Sequence, residues 1–241
     1  MTEPHLRPFV LPHEPVEPHP VDDLHLYLPE GVAEGGSRPA VLMVHGGPVP
    51  PERAERPPDW PAYRGYGALL ARAGLVGVMV EHGFASDETL PRARDDILAA
   101  IEALRADPAV DPTRVGLWFF SAGGLLLGSF LEPAPDGVVA VAGSYAYVGD
   151  EELPELGLAD GLRVVPRSGL PLLLVRPEHD FEEFVAVTDE VLAGCTAAGR
   201  PVDVLEVAGA HHAFETVDDT DAARAAIRDS VAWWVEQLMP A

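Results

Sequence analysis

The chain has 241 residues, enough for one large α/β domain, and its 47% AVILMFWYC content with 23% charged residues is the balance of a globular protein. Its formal net charge is −23 and all 16 basic residues are arginines. A surface of that sign repels phosphate backbones and anionic membranes, which argues against nucleic-acid and membrane partners. The acidic residues are spread along helices and loops, so they describe a solvated surface rather than a substrate. The single cysteine, Cys195, excludes an intrachain disulfide and reads as a small buried thiol in a helix. The opening MTEPHLRPFVLPHEPVEP has proline and histidine where a signal peptide needs an apolar run. No stretch approaches the roughly 18 apolar residues of a membrane span. A cytoplasmic enzyme is therefore expected.

In chain order, residues 1–20 read as an extended N-terminal arm. Residues 21–28 alternate apolar and polar, as a half-buried strand does, and a turn follows. AVLMV at 40–44 is a continuous apolar run of the kind found in strands buried on both faces of a parallel sheet. Similar runs recur at 75–80, 115–120, 137–142, 170–175 and 201–207. Helical patterns lie between them at 61–73, 88–106, 181–198 and 219–238. The second places Leu90, Ile97, Leu98, Ile101 and Leu104 on one face; the last places Ile227, Val231, Trp234 and Leu238 on one stripe. Strand and helix alternate, so the expected fold is α/β: a mostly parallel central sheet with helices on both faces, in a single domain spanning 1–241. Residues 145–168 break the rhythm and are a candidate short cap. In such sheets ligands bind beyond the carboxyl ends of the strands, so chemistry should sit just after the apolar runs.

Polar residues with chemical potential do follow those runs. His45-Gly46-Gly47-Pro48 follows 40–44, and its glycines can expose the backbone N–H groups that an oxyanion hole needs; Pro48 has none to give. Ser121-Ala122-Gly123-Gly124 follows 115–120 and leads into an apolar helix, the layout of a nucleophile elbow. The elbow pattern is G-x-S-x-G; here Phe119 stands in place of the first glycine, at a crowded position. The Ala122 N–H would lie at a helix start, where anions are favoured. Glu178 and Asp180 follow 170–175, and either carboxylate can orient a histidine. His211 and His212 follow 201–207, and either can reach across the sheet edge to a serine. Two adjacent histidines without a supporting Cys/His cluster make a poor metal site. Serine, then acid, then histidine, each after a different strand, is the chain order of α/β-hydrolases. Glu81, His82, Tyr145, Tyr147 and Asp150 are further candidates for lining a pocket.

With these segments the chain resembles the α/β-hydrolase superfamily over about residues 21–238, closest to dienelactone-hydrolase-like and small esterase- or acetyl-esterase-like members. RPAVLMVHGGP is similar to the oxyanion strand and loop, FFSAGG to the elbow with one glycine changed, LLVRPEHD to the acid-bearing strand end and GAHHAFE to the G-x-x-H-x-F segment. The resemblance selects His212 over His211 and Asp180 over Glu178. It implies a Ser121–His212–Asp180 triad, an oxyanion hole from Gly46, Gly47 and Ala122, and an acyl-enzyme formed from a small ester-type substrate. It calls for no cofactor and no metal, and leaves room for a homodimer. Two other expectations compete: a serine peptidase similar to prolyl-oligopeptidase catalytic domains, suggested by HGGP, and a non-catalytic protein of the same fold, suggested by Phe119.

Overall fold

Apolar runs too continuous for a half-exposed strand must be covered on both sides, and helices supply that cover. The computed structural model describes residues 3–32, 36–150 and 152–240. Its strands are β1 (His19–Val21), β2 (Leu24–Tyr27), β3 (Arg38–Val44), β4 (Val76–Val80), β5 (Val110–Phe120), β6 (Val138–Ser144), β7 (Leu172–His179) and β8 (Asp203–His211). They form one sheet in the order β1-β2-β4-β3-β5-β6-β7-β8. β1 and β2 pair antiparallel, as do β2 and β4; every other neighbouring pair is parallel. The helices are α1 (Pro61–Arg72), α2 (Leu90–Ala106), α3 (Gly161–Val164), α4 (Glu182–Ala198), α5 (Phe214–Val217) and α6 (Asp221–Leu238).

The core has two halves, one on each face of the sheet. One gathers Leu42, Val44, Val78, Leu117 and Phe119 under Ile97 and Ile101 of α2 and Val191 of α4. The other gathers Val41, Met43, Met79, Trp118 and Phe120 under Tyr66 and Leu70 of α1 and Ile227 and Trp234 of α6. Adjacent residues of one strand thus serve opposite faces, as the pleat requires. Gly116 makes room for α6: a Cβ there would lie 2.1 Å from the Trp234 ring.

Three expectations change. The strand expected over 21–28 is present but shorter, as β2, and is the second arm of a hairpin: β1 takes the end of the expected arm up to Val21, Asp22 has a left-handed φ of 49°, and β2 starts at Leu24. The short polar pair Asp22-Asp23 supports that turn, which the alternation conceals. Leu98, assigned to the buried face of α2, is 37% exposed. It follows Ile97 by 100° of rotation, and the helix is covered along a stripe too narrow to hold both. Finally, β7 and β8 run several residues beyond their apolar runs and pair through His179 and His211, past a register shift at Pro177. β8 is an edge strand whose exposed residues need not be apolar, so its end was hidden from a hydrophobic pattern.

Residues 145–168 hold a 3-10 turn (Leu153–Leu156) and α3, with Val148, Leu153, Leu158, Val164 and Val165 buried in the core. The N-terminal arm crosses α1: Phe9 lies against Tyr66, and the Val10 N–H donates to the Glu215 carbonyl at 2.9 Å. Among the described residues no helix is long and apolar enough to cross a membrane.

Candidate active site

Six parallel strands, β3 to β8, end at one edge of the sheet, and the first residues past five of those ends lie in or beside the site. These residues are His45 after β3, Ser121 after β5, Tyr145 after β6, Asp180 after β7 and His212 after β8. Ser121 has φ 51°, a left-handed conformation that an L side chain adopts only when its surroundings hold it there. The close packing of the turn supplies that constraint. A Cβ on Gly123 would lie 2.5 Å from the His45 carbonyl oxygen, so the backbone following Ser121 can approach β3 only through glycine. Residues Ser121–Phe130 then wind as a 3-10 helix, a long run for that form. Phe119 does not displace the serine. Its side chain turns into the core and meets the Phe130 ring at 5.7 Å, at the far end of the same helix.

Ser121, His212 and Asp180 form one hydrogen-bonded row. The Ser121 Oγ lies 2.8 Å from His212 Nε2, and His212 Nδ1 lies 2.7 Å from Asp180 Oδ1. An ionised carboxylate can only accept, so Nδ1 carries the hydrogen and Nε2 is left to accept from the serine. The Asp180 side chain is only 5% exposed and also accepts the Phe181 N–H at 2.8 Å. Three aromatic rings hold the imidazole: Tyr145 edge-on at 4.6 Å, Phe181 at 4.8 Å and Phe184 at 5.0 Å. The neighbouring candidates go elsewhere. His211 pairs with Asp218 at 3.0 Å, and Glu178 accepts the Gly209 N–H at 2.7 Å.

A cavity of about 280 Å3 opens beside Ser121 and His212. Gly46 and Gly47 form one wall, Trp60, Tyr63 and Tyr145 supply aromatic surface, and Glu215 lines it from α5. The N-terminal arm contributes Pro4 and His5, and Arg53 closes the rim against Glu3 at 2.7 Å. The Gly46 N–H donates to the Tyr63 hydroxyl at 3.4 Å, a long contact. Burial pushes the Tyr63 pKa upward, so its hydroxyl stays protonated. Ala122 follows Ser121 directly at the start of the 3-10 helix.

Of the other sequence candidates, Tyr145 alone lines this cavity. Glu81 is held by Arg56 at 2.5 Å, Tyr147 packs on Phe184, and Asp150 accepts the Glu152 N–H. His82 is buried and stacks on His45 with ring centroids 3.7 Å apart. Burial drives the pKa of His45 down to about 4 and that of His82 well below the usual value, so both are neutral. Trp60, Tyr63, Arg53 and Glu215, with Pro4 and His5, are among the cavity residues that sequence reasoning missed. A partial signal exists for Trp60 and Tyr63: α1 starts from the carboxyl edge of the sheet, so residues at its beginning face the site.

No protein-family model and no curated protein matches the chain. Among solved structures, esterase 2 of Thermogutta terrifontis, in a form phosphoramylated by tabun, superposes with a TM-score of 0.71 at 18% identity, covering 95% of this chain and 96% of that one. Carboxyl esterase 2 of the mycorrhizal fungus Tuber melanosporum gives 0.71 at 20% identity, covering 89% and 82%. A puromycin-hydrolyzing peptidase of Mycobacterium tuberculosis gives 0.66 at 18% identity; 89% of this chain is covered, but it spans only 38% of the peptidase. A mostly parallel eight-stranded sheet with helices on both faces, superposing on esterases and a peptidase over nearly its whole length, is the α/β-hydrolase fold.

Proposed function

We propose that the chain is a serine hydrolase that cleaves small carboxylic esters through an acyl-enzyme. The observation that carries this reading is the row Ser121–His212–Asp180, with spacings of 2.8 and 2.7 Å at the mouth of a cavity. His212 Nε2 takes the Ser121 proton while Oγ attacks the ester carbonyl carbon. The resulting imidazolium is steadied by Asp180 and returns that proton to the departing alkoxide. Water, activated by His212, then attacks the acyl-serine and releases the acid. The oxyanion formed in each step is assigned to the N–H groups of Gly47 and Ala122. The Gly46 N–H already faces Tyr63, so it joins them only by leaving that long contact. Aromatic walls and the cavity's small volume favour a compact substrate with apolar groups. The segments that resemble dienelactone-hydrolase-like and small esterase members support the same class, as do two esterases of closely similar length.

Peptide cleavage is the second reading. It is favoured by the HGGP segment and the peptidase superposition, although that peptidase is a much longer chain. Turnover of p-nitrophenyl acetate, propionate and butyrate beside a set of aminoacyl anilides separates the two. The expected result is ester turnover that falls at least about 10³-fold in Ser121→Ala. Ester turnover equal in both proteins contradicts the assignment of Ser121, and anilide turnover without ester turnover reverses the order of the two readings.

A further inference from the structure

Glu215 is a carboxyl group that ester cleavage by Ser121 and His212 leaves without a task. It sits in the first turn of α5, three residues after His212, and is 1% exposed. Its Oε1 accepts the Tyr145 hydroxyl, while Oε2 is buried and makes no hydrogen bond among the described residues. A buried carboxyl with one satisfied oxygen is costly, and such groups concentrate where chemistry uses them. Its partner is also unusual. Tyr145 takes φ 38°, in the left-handed region that tyrosine rarely enters. Its N–H is fixed by the Val175 carbonyl at 2.8 Å, and its ring stands edge-on against His212. Carboxyl, hydroxyl, ring and imidazole therefore follow one another across the cavity wall, on elements separated in the chain.

We propose that Glu215, acting through Tyr145, is a positioning residue for His212: it fixes the ring that orients the imidazole and adds a second negative charge that favours imidazolium when Ser121 reacts. The inference rests on the serine-hydrolase reading. As the Ser121 O–H bond breaks and the His212 N–H bond forms, positive charge appears on the imidazole. Asp180 meets it at Nδ1, and Glu215 adds its field from behind Tyr145 in surroundings with little water to screen it. The groups facing Glu215 are Tyr145 after β6, Tyr63 and Tyr66 of α1, His212 after β8 and Asp218 after α5. Burial is the largest influence and pushes its pKa up to about 7; the Tyr145 hydrogen bond and His212 pull it down, and Asp218 pushes it up. Glu215 therefore ionises in the neutral range, and the reaction gains a second proton dependence there.

The test is the pH profile of Ser121 acylation by p-nitrophenyl acetate between about pH 5 and 9 in the full chain, in Glu215→Gln and in Tyr145→Phe. Mass spectrometry of a fluorophosphonate adduct reports separately whether Ser121 reacts. In the wild type the acid limb is expected to be steeper than one proton. In Glu215→Gln it becomes a single-proton limb, with a rate on the alkaline side lower by roughly tenfold. In Tyr145→Phe, which keeps the carboxyl and loses the bond that lowers its pKa, the limb moves to higher pH. That second variant carries the test if Glu215→Gln fails to fold. Limbs of equal slope and midpoint in all three proteins overturn the proposal whatever the rates, because a merely structural role lowers rates without moving the limb. A wild type whose Ser121 takes no label overturns the serine-hydrolase reading itself, and the proposal with it.

Discussion

Gly46 stands where any side chain would meet Ser121: a Cβ there would lie 2.8 Å from Ser121 Cβ and 3.3 Å from its Oγ. Gly46→Ala should therefore lower the rate of Ser121 acylation on the order of 10²-fold, since a displacement of about 1 Å at reacting atoms has that effect. Its thermal midpoint should fall by a few degrees as well, since the same Cβ would lie 3.1 Å from the Phe120 carbonyl oxygen and the buried turn must shift to admit it. Stopped-flow ester acylation beside thermal unfolding checks this, and an unchanged rate contradicts it. At this scale the meeting of Ser121, Asp180 and His212 was legible because each follows a hydrophobic strand and the parallel strands end at one edge of the sheet. Choosing His212 over His211 and Asp180 over Glu178 needed the family resemblance. Spacing alone does not say which of two neighbours faces the edge, and the rejected ones are occupied by Asp218 and Gly209. Glu215 was not legible. In a chain with 39 acidic residues, nothing local marks Glu215 as one of the few that are buried.

The turn from β5 into the 3-10 helix is where sequence pattern and structure differ most instructively. A glycine two residues before the serine is the expected solution to crowding; here a phenylalanine occupies the site, and its ring is absorbed by the core beside Phe130. Phe119 is therefore an anchor of the elbow rather than an obstruction. Phe119→Ala should destabilise the protein by about 3–5 kcal/mol, the usual cost of emptying a buried phenylalanine site, without raising activity. Urea unfolding measures the first and ester turnover the second; a variant as stable as the wild type, or more active, contradicts the assignment. Helices were legible because Gly199 and the Trp234 stripe mark them plainly, the former at φ 67° as a left-handed cap. The β1–β2 hairpin was not, because two antiparallel strands joined by Asp22-Asp23 preserve an alternation that one strand would also show.

Across the whole molecule, buried titratable groups link stability to pH. His45 stays neutral in the fold down to about 4, whereas in the unfolded chain it takes a proton near 6.5. As pH falls through that window the unfolded state binds the extra proton, and stability drops by about 3 kcal/mol. Buried His82 acts in the same direction. Glu215 acts in the opposite one: its pKa rises from 4.5 to about 7, so the fold gains from protonation as pH falls between those values. Two histidines against one carboxyl leave a net loss toward acid. The urea midpoint should fall from pH 7 to pH 5, and more steeply in Glu215→Gln; a flat profile in both proteins contradicts this. That strands ending far apart in the chain assemble one nucleophile is a proposal about the whole molecule. Its most direct measurement is intact-mass and peptide mapping after treatment with a fluorophosphonate. One adduct on Ser121, lost in Ser121→Ala and formed far more slowly in His212→Ala, is the predicted result. A folded wild-type protein that takes no adduct, or takes it on another residue, contradicts the account.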